Sequence, residues 1–263
     1  MVYWHPQDED MEMAWQHARE TFKFFWREYT WETRRIIPAL SLANVKFPFT
    51  DPHDLIPPDE RLTEHMWIAV YDFDGIRIYG ELLNQPHELK THNQGDAVAM
   101  PIQNLSDWMY AVGTHVYGAF TVNQIRAEMS ISEREDHDNA WGLEFGRPDL
   151  IELVPSDYLT VKKKGFFGFR KTEYLDFETT EHPMALHMAD AIRNGGLGEA
   201  GDINETFDLG KTVLHQMALA GASEAVKALL ERGADKSLRT EAGFTARELA
   251  VIMGWSETEE ILA

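Results

Sequence analysis

Four titratable side chains in the first half of the chain are the best candidates for acid–base chemistry: Glu64, His65, Asp96 and Asp107. All four lie beside aromatic or apolar residues, where burial can shift a pKa and prepare a side chain for proton transfer. Each also has a structural use, since Asp107 can cap a helix, Asp96 can close a turn and His65 can bond to a buried carbonyl. We favour the structural interpretation and predict that the chain is not an enzyme.

No other pattern in the sequence predicts catalysis or a bound metal. His87, His92 and Asp96 fall within ten residues, yet they match no recognised metal-ligand spacing. The acidic run 133–138 lacks the central glycine of a calcium loop. The chain has no cysteine, which excludes a thiol nucleophile, and it has no nucleophile elbow, phosphate-binding glycine loop or His-Glu-x-x-His motif. We expect no metal and no cofactor.

The charge balance indicates which partners suit the chain. Its formal net charge is -20, from 44 acidic and 24 basic residues. Such a field favours solubility, repels nucleic acid and anionic lipid, and speeds encounter with basic proteins. Residues 162–171 are an exception, with five basic side chains beside phenylalanines. That composition can bind single-stranded nucleic acid, but pairing with acidic neighbours or docking to an acidic patch fits the overall charge better.

We therefore expect that the protein binds neither nucleic acid nor a membrane. The apolar runs are far too short to span a bilayer, and the N-terminal residues lack the features of a signal peptide. These observations predict a cytoplasmic protein.

Hydrophobic periodicity predicts the elements that must position these residues. Residues 8–33 carry an aromatic stripe at helical spacing, and residues 66–82 alternate like a hairpin around a turn at 72–75. Prolines predict irregular structure over 36–58. Further expectations are a strand at 97–102, helices from Ser106 and Thr121, a solvated loop over 131–150, and strands near 151–154 and 174–177. Without regular βαβ alternation, this mixture predicts an α+β domain with an antiparallel sheet.

Four ordered sequence blocks run through this region: Ala14–Phe25, Glu64–Ile68, Gly80–Pro86 and Gly95–Tyr110. Together they resemble the YegJ-like domain-of-unknown-function family over residues 10–145. That family brings no established reaction or cofactor, so the resemblance implies a domain and no particular activity.

A period of 33 residues marks the last third of the chain. Gly210 and Gly243 can form tight turns, Thr212 and Thr245 can cap the helices that follow, and His215 can tie neighbouring turns together. Gly233 is expected to end a helix in a left-handed conformation. The apolar residues expected between stacked units are Leu214, Ala218, Val226, Leu229 and Leu230.

This pattern resembles the ankyrin-repeat family over residues 182–263, with about two and a half repeats. The first repeat lacks its leading turn, and two full repeats cannot bury a core alone. We therefore expect the repeats to depend on the preceding domain. The predicted organisation is an α+β domain over residues 1–180 and a short all-α ankyrin stack over residues 181–263.

The ankyrin resemblance implies protein binding, although so short a stack could instead only brace the first domain. Ankyrin-bearing immunity proteins accompany secreted polymorphic and type VI toxins of bacteria, and an acidic chain suits a basic toxin. We predict an immunity protein that neutralises a cognate toxin. The alternatives are a host adaptor or regulatory protein, and an uncharacterised enzyme in the front domain. The candidate partner-binding residues are Asp208, Lys211, Arg239, Glu241, Phe244, Glu133, Glu135, Asp136 and Asp138.

Overall fold

The structure is a computed structural model that describes residues 9–52, 62–164, 170–196 and 201–263. The chain divides into two compact units. The first consists of Met1–Phe25 and Arg35–Leu153, and the second of Trp26–Arg34 and Val154–Ala263.

A six-stranded antiparallel sheet is the centre of the first unit, as the sequence predicts for this region. Its strand order is β4-β3-β2-β1-β5-β6. The strands are β1 Leu40–Phe49, β2 Glu64–Phe73, β3 Arg77–Leu82, β4 Ala97–Pro101, β5 Asp107–Val112 and β6 His115–Gly118. The described helices that begin in this part of the chain are α1 Glu9–Glu32, α2 Phe120–Ala127 and α3 Ile131–Trp141.

Helices pack on both faces of this sheet. Residues of α1 up to Phe25 cover one face, where the indole nitrogen of Trp108 donates to the carbonyl of Ala18 at 3.0 Å. On the other face, Val122 of α2 packs in a buried cluster with Trp67 and neighbouring apolar residues of β5. Strand β5 is therefore buried on both sides, whereas the residues of β1 on the second face are half-buried.

Strand alternation places a row of functional groups on the second face. The register pairs Lys46 of β1 with Trp67 of β2 and with Asp107 of β5. Because paired residues in neighbouring strands point to the same side, these three side chains share one face. Val45, one residue earlier, pairs with Ile68 and belongs to the opposite face.

The predicted hairpin and its turn are confirmed. Strands β2 and β3 are joined at Asp74, whose carboxylate accepts the N–H groups of Ile76 and Arg77, each at 2.7 Å. Gly75 has a φ of 99°, which suits a residue without a Cβ atom. The helix predicted over 8–33 and the strand predicted over 97–102 are also present, as α1 and β4.

Residues 107–112 are strand β5 and not part of the helix predicted to begin at Ser106. Asp107 to Ala111 are all buried, and residues 108–112 form an unbroken apolar run without a polar face. Such a run cannot be assigned to a strand or a helix by periodicity alone. The second predicted helix is present as α2 and begins at Phe120.

Residues 40–49 are strand β1, although the prolines of the region 36–58 predict irregular structure there. The ladder between β1 and β5 stops at Lys46. Pro48 lies beyond that point, where the strand has a neighbour on one side, and a proline is tolerated at such a position.

The predicted solvated loop over 131–150 instead contains α3. Ser130 and Glu133 form a capping box at its start. The helix surface is polar on all sides, so it lacks the apolar stripe that would have identified it.

The second unit consists mainly of paired helices. They are α4 Pro183–Arg193, α5 Val213–Leu219, α6 Ser223–Glu231, α7 Ala246–Met253 and α8 Ser256–Leu262. A two-stranded antiparallel hairpin precedes them, formed by β7 Thr160–Lys164 and β8 Arg170–Tyr174. The sequence predicted strands near 151–154 and 174–177. The observed strands instead overlap the two ends of the basic segment 162–171.

The pairs α5–α6 and α7–α8 share one geometry at an offset of 33 residues. Thr212 and Thr245 each begin their helix with a capping box. The amides of Gly210 and Gly243 each donate to the carbonyl three residues earlier, at 3.0 and 2.9 Å. The predicted link through His215 is confirmed, because its Nε2 atom lies 3.0 Å from the carbonyl of Leu238. The sequence period is therefore also a period of backbone geometry.

The last turns of α1 also belong to the second unit. The ring of Trp31 stacks on His182 with centroids 5.6 Å apart, and Arg34 bonds to Gln216 of α5. The helical pairs thus pack against residues 26–34, and the compact units divide after Leu153. The domain boundary predicted between residues 180 and 181 stays a prediction.

Candidate functional site

Two buried carboxylates hold the loop at residues 87–91. Glu64 accepts the backbone N–H groups of residues 87–89 at 2.7–3.0 Å. Asp51 accepts those of residues 90 and 91, each at 3.0 Å. Burial acts to raise the pKa of Glu64, but the three backbone donors stabilise its charged form and the net shift is downward. Both carboxylates are therefore engaged as charged anchors of this loop.

Asp107 caps α2 from a distant strand. The side chain is 0 % exposed, and its oxygens accept the N–H groups of Phe120 and Thr121 at 2.9 and 2.8 Å and the Thr121 hydroxyl at 2.5 Å. Ala119, which precedes the helix, has no side-chain cap and a φ of 59°. Burial raises the pKa of Asp107, while the charge of Lys46 and the donors of Thr121 and Phe120 oppose that shift.

Lys46 completes a buried polar cluster around Asp107. Its ammonium donates to the Thr121 hydroxyl at 3.3 Å and lies 5.5 Å from the centre of the Trp67 ring. Burial lowers the pKa of Lys46, and the nearby charge of Asp107 partly restores it. The cluster thus balances a half-buried cation against a fully buried anion.

His65 and Ser106 lie beside this cluster. His65 Nδ1 is 2.8 Å from the Ser106 hydroxyl, and the ring stacks on Trp15 with centroids 5.0 Å apart. Burial, helped by the charge of Lys46, lowers the pKa of His65 to about 4, so the ring is neutral near pH 7. A neutral histidine bonded to a serine can activate it as a nucleophile, but Ser106 is only 2 % exposed.

The remaining front-domain candidates also have local partners. Asp96 accepts the N–H of Asn93 at 2.7 Å and closes its turn, as expected. His92 packs edge-on against Phe49 with ring centres 5.3 Å apart, and His87 is exposed. Across the described part of the chain, no group of three His, Asp or Glu side chains is arranged to hold a metal.

The two turns that precede α5 and α7 lie side by side. The amide of Glu241 donates to the carbonyl of Leu209 at 2.9 Å, which joins one turn to the next. Asp208 and Glu241 are exposed, and Phe244 is half-buried. Arg239 is exposed and pairs with Glu248 at 3.0 Å. Four of the five predicted finger residues therefore lie on or near one accessible edge.

Lys211 does not share this exposure. Its side chain is 4 % exposed, so the expectation that it lies on an accessible finger is wrong. The reason is its position directly before Thr212, the cap of α5, where the chain turns into the helical pair. A partner can reach almost none of its surface.

The acidic candidates lie on α3 and divide into two groups. Glu133 accepts the backbone N–H of Ser130 at 2.8 Å in the capping box, and Asp138 receives two hydrogen bonds from Arg126, at 2.9 and 2.6 Å. Arg126 is 2 % exposed, so Asp138 joins α3 to α2 as part of the structure. Glu135 and Asp136 are exposed and are the two of this group that remain accessible.

The last helical pair differs from the preceding one at two stacking positions. Leu214 and Val226 are buried in α5 and α6. The residues 33 positions later are Arg247 and Glu259, which form an ion pair at 3.0 Å. A charged pair thus replaces two apolar residues, so the last helical pair is more polar at these positions than the preceding pair.

Asp51, Lys46, Ser106 and Arg126 were absent from the sequence-based site. A signal existed for Lys46, because it is a lone cation between apolar residues of a strand, Val45 and Phe47. Nothing local indicated the others, since their partners are distant in the chain.

No helix in the described segments is long and apolar enough to cross a membrane.

Comparison with known proteins assigns the front of the chain. A profile of the family described as "Uncharacterized protein conserved in bacteria (DUF2314)" matches residues 8–145. The chain is also 29% identical over 116 residues to "Uncharacterized protein YegJ" of Escherichia coli K12, a match that covers 44% of this chain and 66% of the relative.

A second relative matches along the whole chain. It is named "Putative ankyrin repeat protein" in Neisseria meningitidis serogroup B, and it is 38% identical over 263 residues, covering 100% of this chain and 96% of its own length. The chain therefore belongs to the DUF2314 family of uncharacterized bacterial proteins.

Proposed function

We propose that helices α4–α8 form an ankyrin-repeat stack that binds a protein partner through its turns. The observation that carries this proposal is the pair of equivalent turns joined by the Glu241–Leu209 hydrogen bond. Their edge presents Asp208, Glu241 and Arg239 beside the half-buried Phe244. An aromatic anchor within a charged rim suits a specific protein contact. The name of the Neisseria relative supports the assignment to ankyrin repeats.

The more specific proposal is an immunity protein that neutralises a cognate bacterial toxin in the cytoplasm, of a type VI or polymorphic system. The net charge of -20 supports it, because an acidic inhibitor is drawn quickly to a basic toxin. The exposed Glu135 and Asp136 on α3 would add to that attraction. An adaptor that holds several cellular proteins, or a stack that only braces the chain, are the competing roles.

We also propose that the front domain is not an enzyme. Glu64, Asp96 and Asp107 each accept backbone N–H groups, and this use supports a structural role. Among the described residues, the hydrogen-bonded pair His65–Ser106 is an arrangement that could in principle serve a nucleophile. A hydrolase screen comparing the protein with Ser106→Ala tests this proposal, and an activity lost in that variant would refute it.

The binding proposal is tested by co-expression with the toxin-like product of a neighbouring gene. Restored growth and a stoichiometric complex on a sizing column are expected. The double variant Asp208→Lys with Glu241→Lys should weaken the complex about tenfold or more, because it reverses the charge of the turn edge. Glu260→Lys is the matched control, since it changes the same charge type at an exposed position of α8.

The possible results separate the competing roles. Absence of both rescue and complex would reject the immunity function. Capture of several unrelated non-toxic proteins would favour an adaptor. A complex that tolerates the double variant as well as it tolerates Glu260→Lys would show that the turns are not the contact surface.

A further inference from the structure

The two edges of the six-stranded sheet differ in whether another described segment of the chain bonds to them. At the β6 edge, Val116 N donates to Glu144 O at 3.0 Å and Gly118 N donates to Glu152 O at 2.9 Å. Segment 144–152 therefore covers that edge. At the other edge, β4 pairs with β3 alone, and within the described ranges its outer side has no backbone partner.

The hydrogen-bond phase of β4 shows which residues face outward. Leu82 N donates to Asp96 O at 3.0 Å, and Ile102 N donates to Ile76 O at 2.8 Å. Val98 and Met100 lie between these two bonds at every second residue, so their N–H and C=O groups also face β3. In an antiparallel ladder the bonds alternate, so Ala97 and Ala99 direct their N–H and C=O groups away from β3. Both alanines are exposed.

The edge has only part of the usual protection against pairing, since β4 is short and ends at Pro101 but carries no charged side chain. Exposed edge strands are normally guarded by charged side chains, bulges or prolines within the strand. Residues 97–101 contain no charged residue, although the whole chain carries a net charge of -20. Pro101 is the single proline and stands at the end of the strand, where it removes one outer donor.

We propose that β4 pairs with β4 of a second copy of this chain and forms an isologous dimer with a continuous sheet. A matching strand must be short, uncharged and tolerant of Pro101, and β4 itself meets all three requirements. In a two-fold antiparallel register about Val98 or Ala99, the amides of Ala97 and Ala99 in each copy find carbonyl acceptors in the other. Asp96 then lies opposite Met100 or Ile102 of the second copy, so like charges do not meet.

The same geometry sets the strength of the contact. A pair of five-residue strands buries less than the roughly 1,000 Å² of a stable interface, so the dimer belongs to the weak, transient class. The net charge opposes association, and salt screens that repulsion. Dimerisation is therefore expected to increase with protein concentration and with ionic strength.

Sedimentation of the full chain over about a hundredfold range of concentration, at low and high salt, tests the proposal. The variant Ala99→Pro removes one outward amide from each copy, and should weaken the dimer about tenfold or more. Ala99→Val is the matched control, because it keeps the amide and favours a strand, and it should associate like the unmodified protein.

A third variant, Ala99→Lys, keeps the backbone intact and adds a like charge to the edge of both copies, so it should also weaken association. Circular dichroism and the melting temperature report whether each variant is folded, and Ala99→Lys decides the outcome if Ala99→Pro is not. A monomer at every concentration and salt would overturn the proposal. Association that survives both Ala99→Pro and Ala99→Lys would overturn it as well.

Discussion

Replacing Asp107 by alanine is expected to destabilise the first unit strongly. The substitution removes the acceptor of four donors: the amides of Trp108, Phe120 and Thr121, and the Thr121 hydroxyl. The site is fully buried, so water cannot replace the carboxylate without rearrangement. It also leaves the half-buried Lys46 without its compensating charge.

The magnitude follows from these losses. A buried donor left without a partner costs about 1–3 kcal/mol, and loss of a helix cap costs about 1 kcal/mol. With partial relaxation, Asp107→Ala should cost about 3–5 kcal/mol, a large part of the roughly 5–15 kcal/mol that holds a typical domain folded. Asp107→Asn keeps the shape and one acceptor oxygen, and should cost about 1–2 kcal/mol less.

Equilibrium urea unfolding, followed by tryptophan fluorescence and circular dichroism, measures these differences. Asp96→Ala is the control, because Asp96 accepts a single backbone bond at a half-buried turn and should cost about 1 kcal/mol or less. A double-mutant cycle with Lys46→Met isolates the charge pairing, and a coupling energy above about 0.5 kcal/mol is expected. The reasoning is refuted if Asp107→Ala is no more destabilising than Asp96→Ala.

Two further predictions concern the helical pairs. Replacing Arg247 by leucine together with Glu259 by valine gives these positions the apolar residues of the preceding pair. This double variant should self-associate in light scattering, whereas a variant with alanine at both positions should not. Equal behaviour of the two variants would contradict the idea that this ion pair prevents association. Glu181 accepts the amide of Glu224 at 2.9 Å, and burial raises its pKa from 4.5 to about 7. The folded state then binds the proton more tightly than the unfolded state between these values, so this group adds stability as pH falls from about 7 to 4.5 and loses it as pH rises. Glu181→Gln should flatten that dependence by about 1 kcal/mol in unfolding measurements across this range, while Glu260→Gln should leave it unchanged, and an unaltered pH profile in Glu181→Gln would reject the shift.

Local chemistry explains which elements were predictable. The turn at Asp74 and Gly75 and the caps at Thr212 and Thr245 depend on bonds that span two or three residues. Such bonds are encoded in short stretches of sequence, and their recurrence at 33 residues makes the period visible. Helix α1 was visible for a related reason, since its apolar stripe is covered on one side.

Elements covered on both sides, or on none, could not be assigned in this way. Strand β5 lies between α1 and α2 and has no polar face, so its periodicity is hidden. Helix α3 has no apolar stripe, and its contact with α2 depends on a single buried arginine, Arg126. In both cases the missing information is which distant element packs against the segment.

The sequence by itself determined the antiparallel α+β character of the front domain, the capped helical pairs and the chemical types of the candidate residues. It did not determine what those residues hold. Asp107 caps α2, Glu64 and Asp51 bind the loop at 87–91, and Lys46 joins the row with Trp67. Each of these contacts depends on strand register and on chain segments that are far apart in sequence. The physical reason is that a carboxylate binds whichever amides the tertiary structure brings to it, and its neighbours along the chain do not specify them.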